Sequence, residues 1–477
     1  MSATQQEFKP SLSLLDATMM VAGSMIGSGI FIVSADITRN VGSAGWLLVV
    51  WLITGFMTLT AAVSYGELSA MFPKAGGQYV YLKEAFNKLA GFLYGWSFFT
   101  VIQTATIAAV GVAFSKFTGY FIPELDIKDE NILFQFGVFK LYPAQIVSIL
   151  VIALLTYINT RGVKGGKAIQ TVFTITKLLS LFGLIVFGLL LAAKADVWNA
   201  NWSNAWEMNK LSEGGMIAGV AGSAVLGAIA ASMAGSIFSS DAWNSVTFIA
   251  GEIKNPKRNI GLSLFLGTLI VTLIYVAANV MYISVLPLNG GEQSIAFAKQ
   301  DRVAVAAANE IFGSIGTYVI AVMIMISTFG CINGLVLSGA RVYYTMAQDG
   351  LFFKQAGTLN KNAVPQWALW AQCVWASLLC LSGQYGDLLD MISFVVVLFY
   401  VLTIIGIFVL RVKRPDIERP YKAFAYPILP IIYIILGLTF CFFLITMKPL
   451  YAGIGFGIVL LGIPVYYIAV ANQKKPV

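Results

Sequence analysis

Two short stretches decide the reading of this chain: Gly23-Ser24-Met25-Ile26-Gly27-Ser28-Gly29-Ile30-Phe31, and Ala234-Gly235-Ser236-Ile237-Phe238-Ser239-Ser240-Asp241. Each interrupts a run that is otherwise apolar and long enough to cross a bilayer, which takes about 20 residues. Glycine and serine clusters are where a helix can unwind, and unwound backbone at membrane depth survives only where it lines a cavity. Taken as one α-helix, Gly215 to Gly251 would be roughly 55 Å long, beyond the ~40–45 Å of a whole bilayer, so a break is required there. The simpler reading of either stretch is packing, because Gly23 and Gly27 alone fit the small-xxx-small pattern of associating membrane helices.

Working outward, apolar runs predict about twelve membrane helices, at 13–35, 43–65, 91–115, 143–160, 171–193, 215–251, 260–286, 314–341, 366–383, 388–410, 426–446 and 451–471. Apolar residues make up 58% of the chain and charged residues 11%, and the mean hydropathy is +0.82. Soluble domains carry about 25% charged residues, so the expected class is an all-α membrane protein. No Pro- or Ser-rich linker divides it. The first run has no basic segment before it beyond Lys9 and no small-residue cleavage site, and reads as a retained helix.

The two breaks fall five spans apart. Five is odd, so the second set of five enters the membrane from the opposite side, as in an inverted repeat with a discontinuous first helix in each half. The halves would be 12–193 and 215–410, with 426–471 supplying two additional helices. With a cytoplasmic N-terminus, the inner connections hold two thirds of the 30 lysines and arginines, among them Lys9, Lys164, Lys167, Lys474 and Lys475. That asymmetry puts both termini in the cytoplasm of a multi-pass cell-membrane protein. It also accounts for the net charge of +8 without nucleic acid as a partner.

Catalytic constellations are absent from the sequence. There is no histidine, which removes the commonest general base and metal ligand. No HExxH, P-loop, nucleophile elbow or paired-cysteine metal spacing occurs, so no enzyme, cofactor or metal site is expected. Cys331, Cys373, Cys380 and Cys441 all fall in apolar segments and read as small core residues.

The breaks themselves carry chemistry. A broken membrane helix presents N–H groups at the start of one half and C=O groups at the end of the other, which suit a carboxylate and an ammonium respectively. A zwitterionic amino acid matches that pair. Ser28 and Gly29 are the expected carboxylate donors, and carbonyls near Met25 and Phe238 the expected partners of the amine. Asp241 is the one acidic residue within the sixth span before Glu252; it reads either as a cap for the second half-helix near Asn244 or as a contact for the substrate side chain. Lys177 is the sharper case. Its helix should begin near Lys167–Ile169, which puts the ammonium roughly 12–15 Å into the membrane, where snorkelling is strained. There it reads as a fixed cation or a proton carrier. Glu67, Glu252 and Asp16 are expected to cap helix ends, and Arg341 to anchor at the inner interface.

At these residues the sequence resembles the amino acid–polyamine–organocation superfamily, and within it the L-type amino acid transporter family. The resemblance runs through GSMIGSGIF at 23–31, YGELSAMFPKAGGQYVYLKEAF at 65–86, QTVFTITKLLSL at 170–181, FSSDAWNSVTFIAGEIKNPKRNI at 238–260, STFGCINGLVLSGARVYYTMAQDGLFF at 327–353 and LRVKRPDIERPYKAF at 410–424. It implies a LeuT-like 5+5 inverted repeat with helices 1 and 6 broken, and amino acid transport by alternating access. It also implies a substrate site built from Ser24, Met25, Ile26, Gly27, Ser28 and Gly29 with Phe238, Ser239, Asp241, Trp243 and Asn244. Ser28 and Gly29 look like the carboxylate-binding backbone, and Met25, Phe238 and Asp241 like the amine-binding carbonyls. Lys177 matches the lysine that stands in relatives where a sodium ion would be, which implies sodium-independent transport by exchange or proton coupling. Where relatives often have Gly-Trp-Asn, this chain has Ala242-Trp243-Asn244 after Asp241. Eukaryotic members join a heavy chain through a cysteine between spans 3 and 4; residues 116–142 contain none, so no such disulfide-linked partner is expected. A polyamine or organic-cation carrier is the competing reading, and would favour more acidic residues than Asp241.

Overall fold

In the computed structural model, ten helices among the described residues are long and apolar enough to cross a membrane, and each stands at an expected position. The described residues are 10–136, 139–212, 215–381 and 385–473. The sixth and ninth expected spans are met by shorter helices, Ala224–Ser239 of 16 residues and Gln366–Cys380 of 15 residues. Of the basic residues used for orientation, Lys9, Lys474 and Lys475 lie outside the described residues, as do the side chains of Lys164 and Lys167.

Span 1 opens with a capping box. The Ser13 hydroxyl accepts the N–H of Asp16 at 3.3 Å, and the Asp16 carboxylate accepts the N–H of Ser13 at 2.8 Å. The first half-helix, here 1a, runs Leu14–Met25. After a break at 26–28 the second half, 1b, runs Gly29–Ile32 and continues through the helical Val33 into Ser34–Val41. The serine and glycine run thus unwinds one turn and no more.

Span 6 is also broken, but its start departs from the sequence expectation. Residues 215–219 are not helical: Gly215–Gly219 pairs antiparallel with Asn209–Ser212 in a hairpin. The reason is local, since Gly215 (φ 114) and Gly222 (φ 61) hold left-handed backbone that a helix cannot contain. Half-helix 6a therefore begins at Ala224 and ends at Ser239, and 6b is the short turn Ser245–Phe248. The break lies at 240–244, at the end of the quoted stretch and beyond it, since 234–239 stay helical, and places Ala242 at φ 62.

Span 2 (Ala44–Met71) lies along span 7 (Pro256–Val285), which also packs on 1a; span 8, within Val303–Gln348, packs on spans 3 and 5. Half-helix 6a packs on span 10 (Tyr385–Lys413) and span 11 (Ile428–Met447). Span 3 is helical from Lys88 to Phe121 but widens into a π-helical turn at Phe98–Ile102. Such turns occur mostly at functional sites, and this one faces the site described below.

At one end of the bundle the structure corrects three expectations. Glu67, Glu252 and Arg341 neither cap nor anchor at an interface; all three are buried in ion pairs. Glu67 accepts from Arg411 at 3.0 and 2.7 Å and from the backbone of Ala423 at 2.7 Å. Arg341 meets Glu252 at 3.0 Å, with side chains 0% and 3% exposed. The backbone oxygen of Glu252 in turn holds the N–H groups of Ser11 and Leu12, which ties the start of the chain to the end of span 6. Removing one partner from such a pair costs about 3–5 kcal/mol, because the other charge stays buried. The opposite end is closed by Arg39, which pairs with Asp301 at 2.6 Å and donates to the Ala296 carbonyl at 2.8 Å. Gln300 and Asp301 both adopt left-handed backbone there, with φ of 53 and 61.

Left-handed backbone costs a residue with a side chain roughly 1–2 kcal/mol relative to glycine. Ala242→Gly is therefore expected to leave the fold intact and raise thermal stability by up to about 1 kcal/mol once the freer unfolded chain is allowed for. Ala242→Val should lower stability. Melting curves of the detergent-solubilised variants check both.

Candidate functional site

The unwound turn of span 1 frees carbonyls that a helix would otherwise occupy, and neighbouring spans supply donors to them. Lys177 sits on the helix Val163–Phe187, which starts earlier than the sequence suggested, about 21 Å along it from the first residue. Its ammonium donates to the carbonyls of Gly23 at 2.5 Å and Ile26 at 2.7 Å and approaches that of Ser327 at 3.5 Å. The lysine is fully buried, and it does not snorkel. Ser327 of span 8 donates to the carbonyls of Ile26 and Gly27 at 3.2 and 3.3 Å, and Cys331 one turn on lies 3.1 Å from that of Ser24. A charge that would be costly alone and a set of orphaned acceptors satisfy one another.

Tyr275 of span 7 joins the two breaks. Its hydroxyl lies 3.1 Å from the Met25 carbonyl, at the end of 1a, and 2.9 Å from the Ser239 carbonyl, at the end of 6a. A phenol has one proton, so the two carbonyls share a single donor. Gly29 is the second point of contact: a Cβ built there would fall 1.9 Å from the Ser239 hydroxyl and 3.0 Å from the Ser239 Cα. Only glycine lets 1b approach 6a this closely, so the first reason for Gly29 in this conformation is packing of one break on the other.

Of the residues expected to bind substrate, Ser24 to Gly29 are buried, and Met25 and Phe238 already use their carbonyls, toward Tyr275 and the Asp241 N–H. Two cavities open beside the span 6 break instead, and neither is lined by residues 24–29. The first has room for about one water and is lined by Asp241, Ala242, Asn244 and Ser245 with Gln78, Gln103 and Thr106, and by Phe98 and Ile102 of the π-turn. The second, of similarly small size, lies between Trp243, Ser240 and Asp241 and spans 2, 10 and 11. Asn244 donates to Gln78 at 3.0 Å, and Gln78 to Thr403 at 2.9 Å, across the floor of the first. Ser239 and Phe238 line neither.

Asp241 does not cap 6b, whose N-cap residue is Asn244 without a side-chain cap bond. Its carboxylate instead accepts the Tyr400 hydroxyl at 2.5 Å. Sequence reading missed Tyr275, Ser327 and Tyr400, which sit on unbroken spans. A tyrosine in an apolar run such as Val271 to Val280 is a usable signal, because a buried tyrosine hydroxyl normally finds a partner.

The sequence model of a family described as amino acid permease matches residues 12–469. The chain is 30% identical over 475 residues to the Homo sapiens large neutral amino acids transporter small subunit 2, covering 98% of this chain and 82% of that one. It is 28% identical over 469 residues to the Mus musculus Asc-type amino acid transporter 1, covering 98% and 82%. It is 28% identical over 433 residues to the Mus musculus b(0,+)-type amino acid transporter 1, covering 90% and 81%.

Because Gly29 faces Ser239, a side chain at 29 should push the two breaks apart before any ligand is present. Gly29→Val is expected to remain in the membrane, to lower the melting temperature, and to weaken ligand binding at least tenfold. Gly29→Val with normal stability and normal affinity in a binding assay would show that this contact is dispensable.

Proposed function

This chain belongs to the amino acid permease family, and on that premise we propose that it is a sodium-independent secondary transporter of amino acids that works by alternating access as an exchanger. The observation that carries the proposal is the Lys177 ammonium on the Gly23 and Ile26 carbonyls. A fixed cation already neutralises the acceptors that a bound metal ion would otherwise have to satisfy, so the site needs none to hold its shape. Lys177 then acts as a permanent tether between span 5 and broken span 1, the coupling residue of the cycle.

The substrate in this reading lies between the breaks. Its carboxylate meets the backbone of Ser28 and Gly29, and its amine meets the carbonyl ends of 1a and 6a near Met25, Phe238 and Asp241. Ser24, Ile26, Gly27, Ser239, Trp243 and Asn244 complete the surround. Asp241 is the one acidic residue lining either cavity, which disfavours a polyamine with several charges. The breaks in spans 1 and 6 support inverted halves at 12–193 and 215–410, with 426–471 appended and both termini cytoplasmic. Three relatives are named as amino acid transporters and one as a small subunit. All four cysteines here are buried in helices, which supports a chain that forms no disulfide with a partner.

Two outcomes are expected in proteoliposomes. Amino acid uptake persists when external sodium is replaced by choline, and internal amino acid accelerates it; loss of uptake on sodium removal would sink the exchange reading. Lys177→Met should slow transport by loosening the span 1 break, with little dependence on pH in wild type or variant. Accumulation driven by an inward proton gradient in the wild type, and lost in Lys177→Met, would instead make the lysine a proton carrier and the protein a symporter.

A further inference from the structure

Gln78 opens the helix Gln78–Ala85 between spans 2 and 3, and it is fully buried. Two glycines bring it against 6b. Gly77 has a positive φ of 46, and a Cβ on it would fall 2.2 Å from the Thr247 hydroxyl; the Gly76 N–H donates to the Phe248 carbonyl at 3.1 Å. From that seat Gln78 bonds on both sides. Its Oε1 accepts from Asn244 at 3.0 Å, and its Nε2 donates to the Thr403 hydroxyl at 2.9 Å. Thr403 in turn donates to the Phe399 carbonyl at 2.7 Å. We propose that this relay sets which end of the Asn244 amide meets the substrate. Asn244 then offers its carbonyl oxygen beside Asp241 as an acceptor for the substrate amine, with Gln78 as the positioning residue. The inference rests on the transport reading above and deepens its account of the amine.

The polarity of the relay follows from its far end. A backbone carbonyl can only accept, so Thr403 gives its one proton to Phe399 and offers its oxygen to Gln78. Gln78 turns its nitrogen to Thr403 and its oxygen to Asn244, and Asn244 turns its nitrogen to Gln78. Reversing both amides would move the Thr403 proton from Phe399 to Gln78, leaving one hydrogen bond fewer where water does not replace it. With its nitrogen so engaged, the other end of the Asn244 amide is an oxygen. Asn244 and Asp241 line the same small space, so two acceptors stand together there. A substrate carboxylate has no donor to give them, and an ammonium has three. Without Gln78 the Asn244 nitrogen would be released to turn toward the Asp241 carboxylate, setting a donor where the amine belongs. The competing account is that Gln78 only fastens its own helix to 6b and span 10.

The test is KM for alanine or leucine, measured on the purified full chain in proteoliposomes. Neither side chain carries a donor, so the amine is the group that Asn244 can meet. Gln78→Met should raise KM about fivefold, the scale of one net hydrogen bond, with kcat changed less than twofold. Asn244→Asp puts an acceptor at both ends of residue 244, so orientation no longer matters. Whatever that substitution does by itself, adding Gln78→Met to it should move KM less than twofold. Thr403 lines neither cavity, yet Thr403→Val should raise KM about two- to threefold, and should not when Asn244→Asp is present. That second cycle decides the matter if Gln78→Met fails to insert. An unchanged KM, or equal losses with and without Asn244→Asp, overturns the proposal and leaves Gln78 a packing residue. Uptake or an effect confined to substrates with side-chain donors, such as serine and asparagine, overturns the amine assignment. Failure of the wild type to take up any of the common amino acids overturns the transport reading itself.

Discussion

The rest of this structure depends on an ammonium held by backbone carbonyls at the centre of the bundle. A break in span 1 leaves acceptors without donors in a place where water cannot supply them, each at a cost of kcal/mol order. A lysine at that depth costs about 2.5–3.5 kcal/mol by insertion scales. Neither would persist by itself. Together, at 2.5 and 2.7 Å, they make an unwound turn that holds its shape with no second ion. Ser327 and Cys331 complete the shell, so span 8 is bound to the same turn from the other side.

Once the first break is fixed, the second is placed against it. Tyr275 reaches the last carbonyls of both 1a and 6a, and Gly29 lets the two backbones touch. The space that remains lies on the span 6 side, around Asp241, where the π-turn of span 3 and the side chains of span 10 close it in. Charged pairs lie at both ends of the molecule: Arg39 with Asp301 at one, Arg341 with Glu252 and Arg411 with Glu67 at the other. The centre is closed by hydrogen bonds that can be exchanged, and the ends by ion pairs that must be separated.

How much of this was legible follows from what kind of signal each part leaves. The spans, the two breaks and Lys177 announce themselves because glycine, serine and a lone charge conflict with an apolar run. The start of span 6 was misread because Met216, Ile217 and Ala218 look as apolar in a hairpin as in a helix; only the left-handed glycines at 215 and 222 separate the two. Glu67, Glu252 and Arg341 were misread because a charge near a span end is ambiguous, and its partner is far away in sequence. Arg411 lies 344 residues from Glu67. Tyr275 and Tyr400 left only a weak signal, a tyrosine in an apolar run, and their partners become clear only when the opposite wall is known. Composition and the two breaks already pointed to an all-α membrane protein and a zwitterionic amino acid; the resemblance to the L-type family added the family, and the permease family match agrees with an amino acid transporter.

The Arg39–Asp301 contact has a mechanical side. Gln300 and Asp301 lie side by side in backbone conformations that residues with side chains avoid, at roughly 1–2 kcal/mol each. Arg39 on Asp301 and Asp126 on Gln300, at 2.6 and 2.8 Å, are the bonds that hold them there. The loop behaves as a cocked spring whose catch is a guanidinium on span 1. Any movement that separates Arg39 from Asp301 therefore also frees a strained backbone.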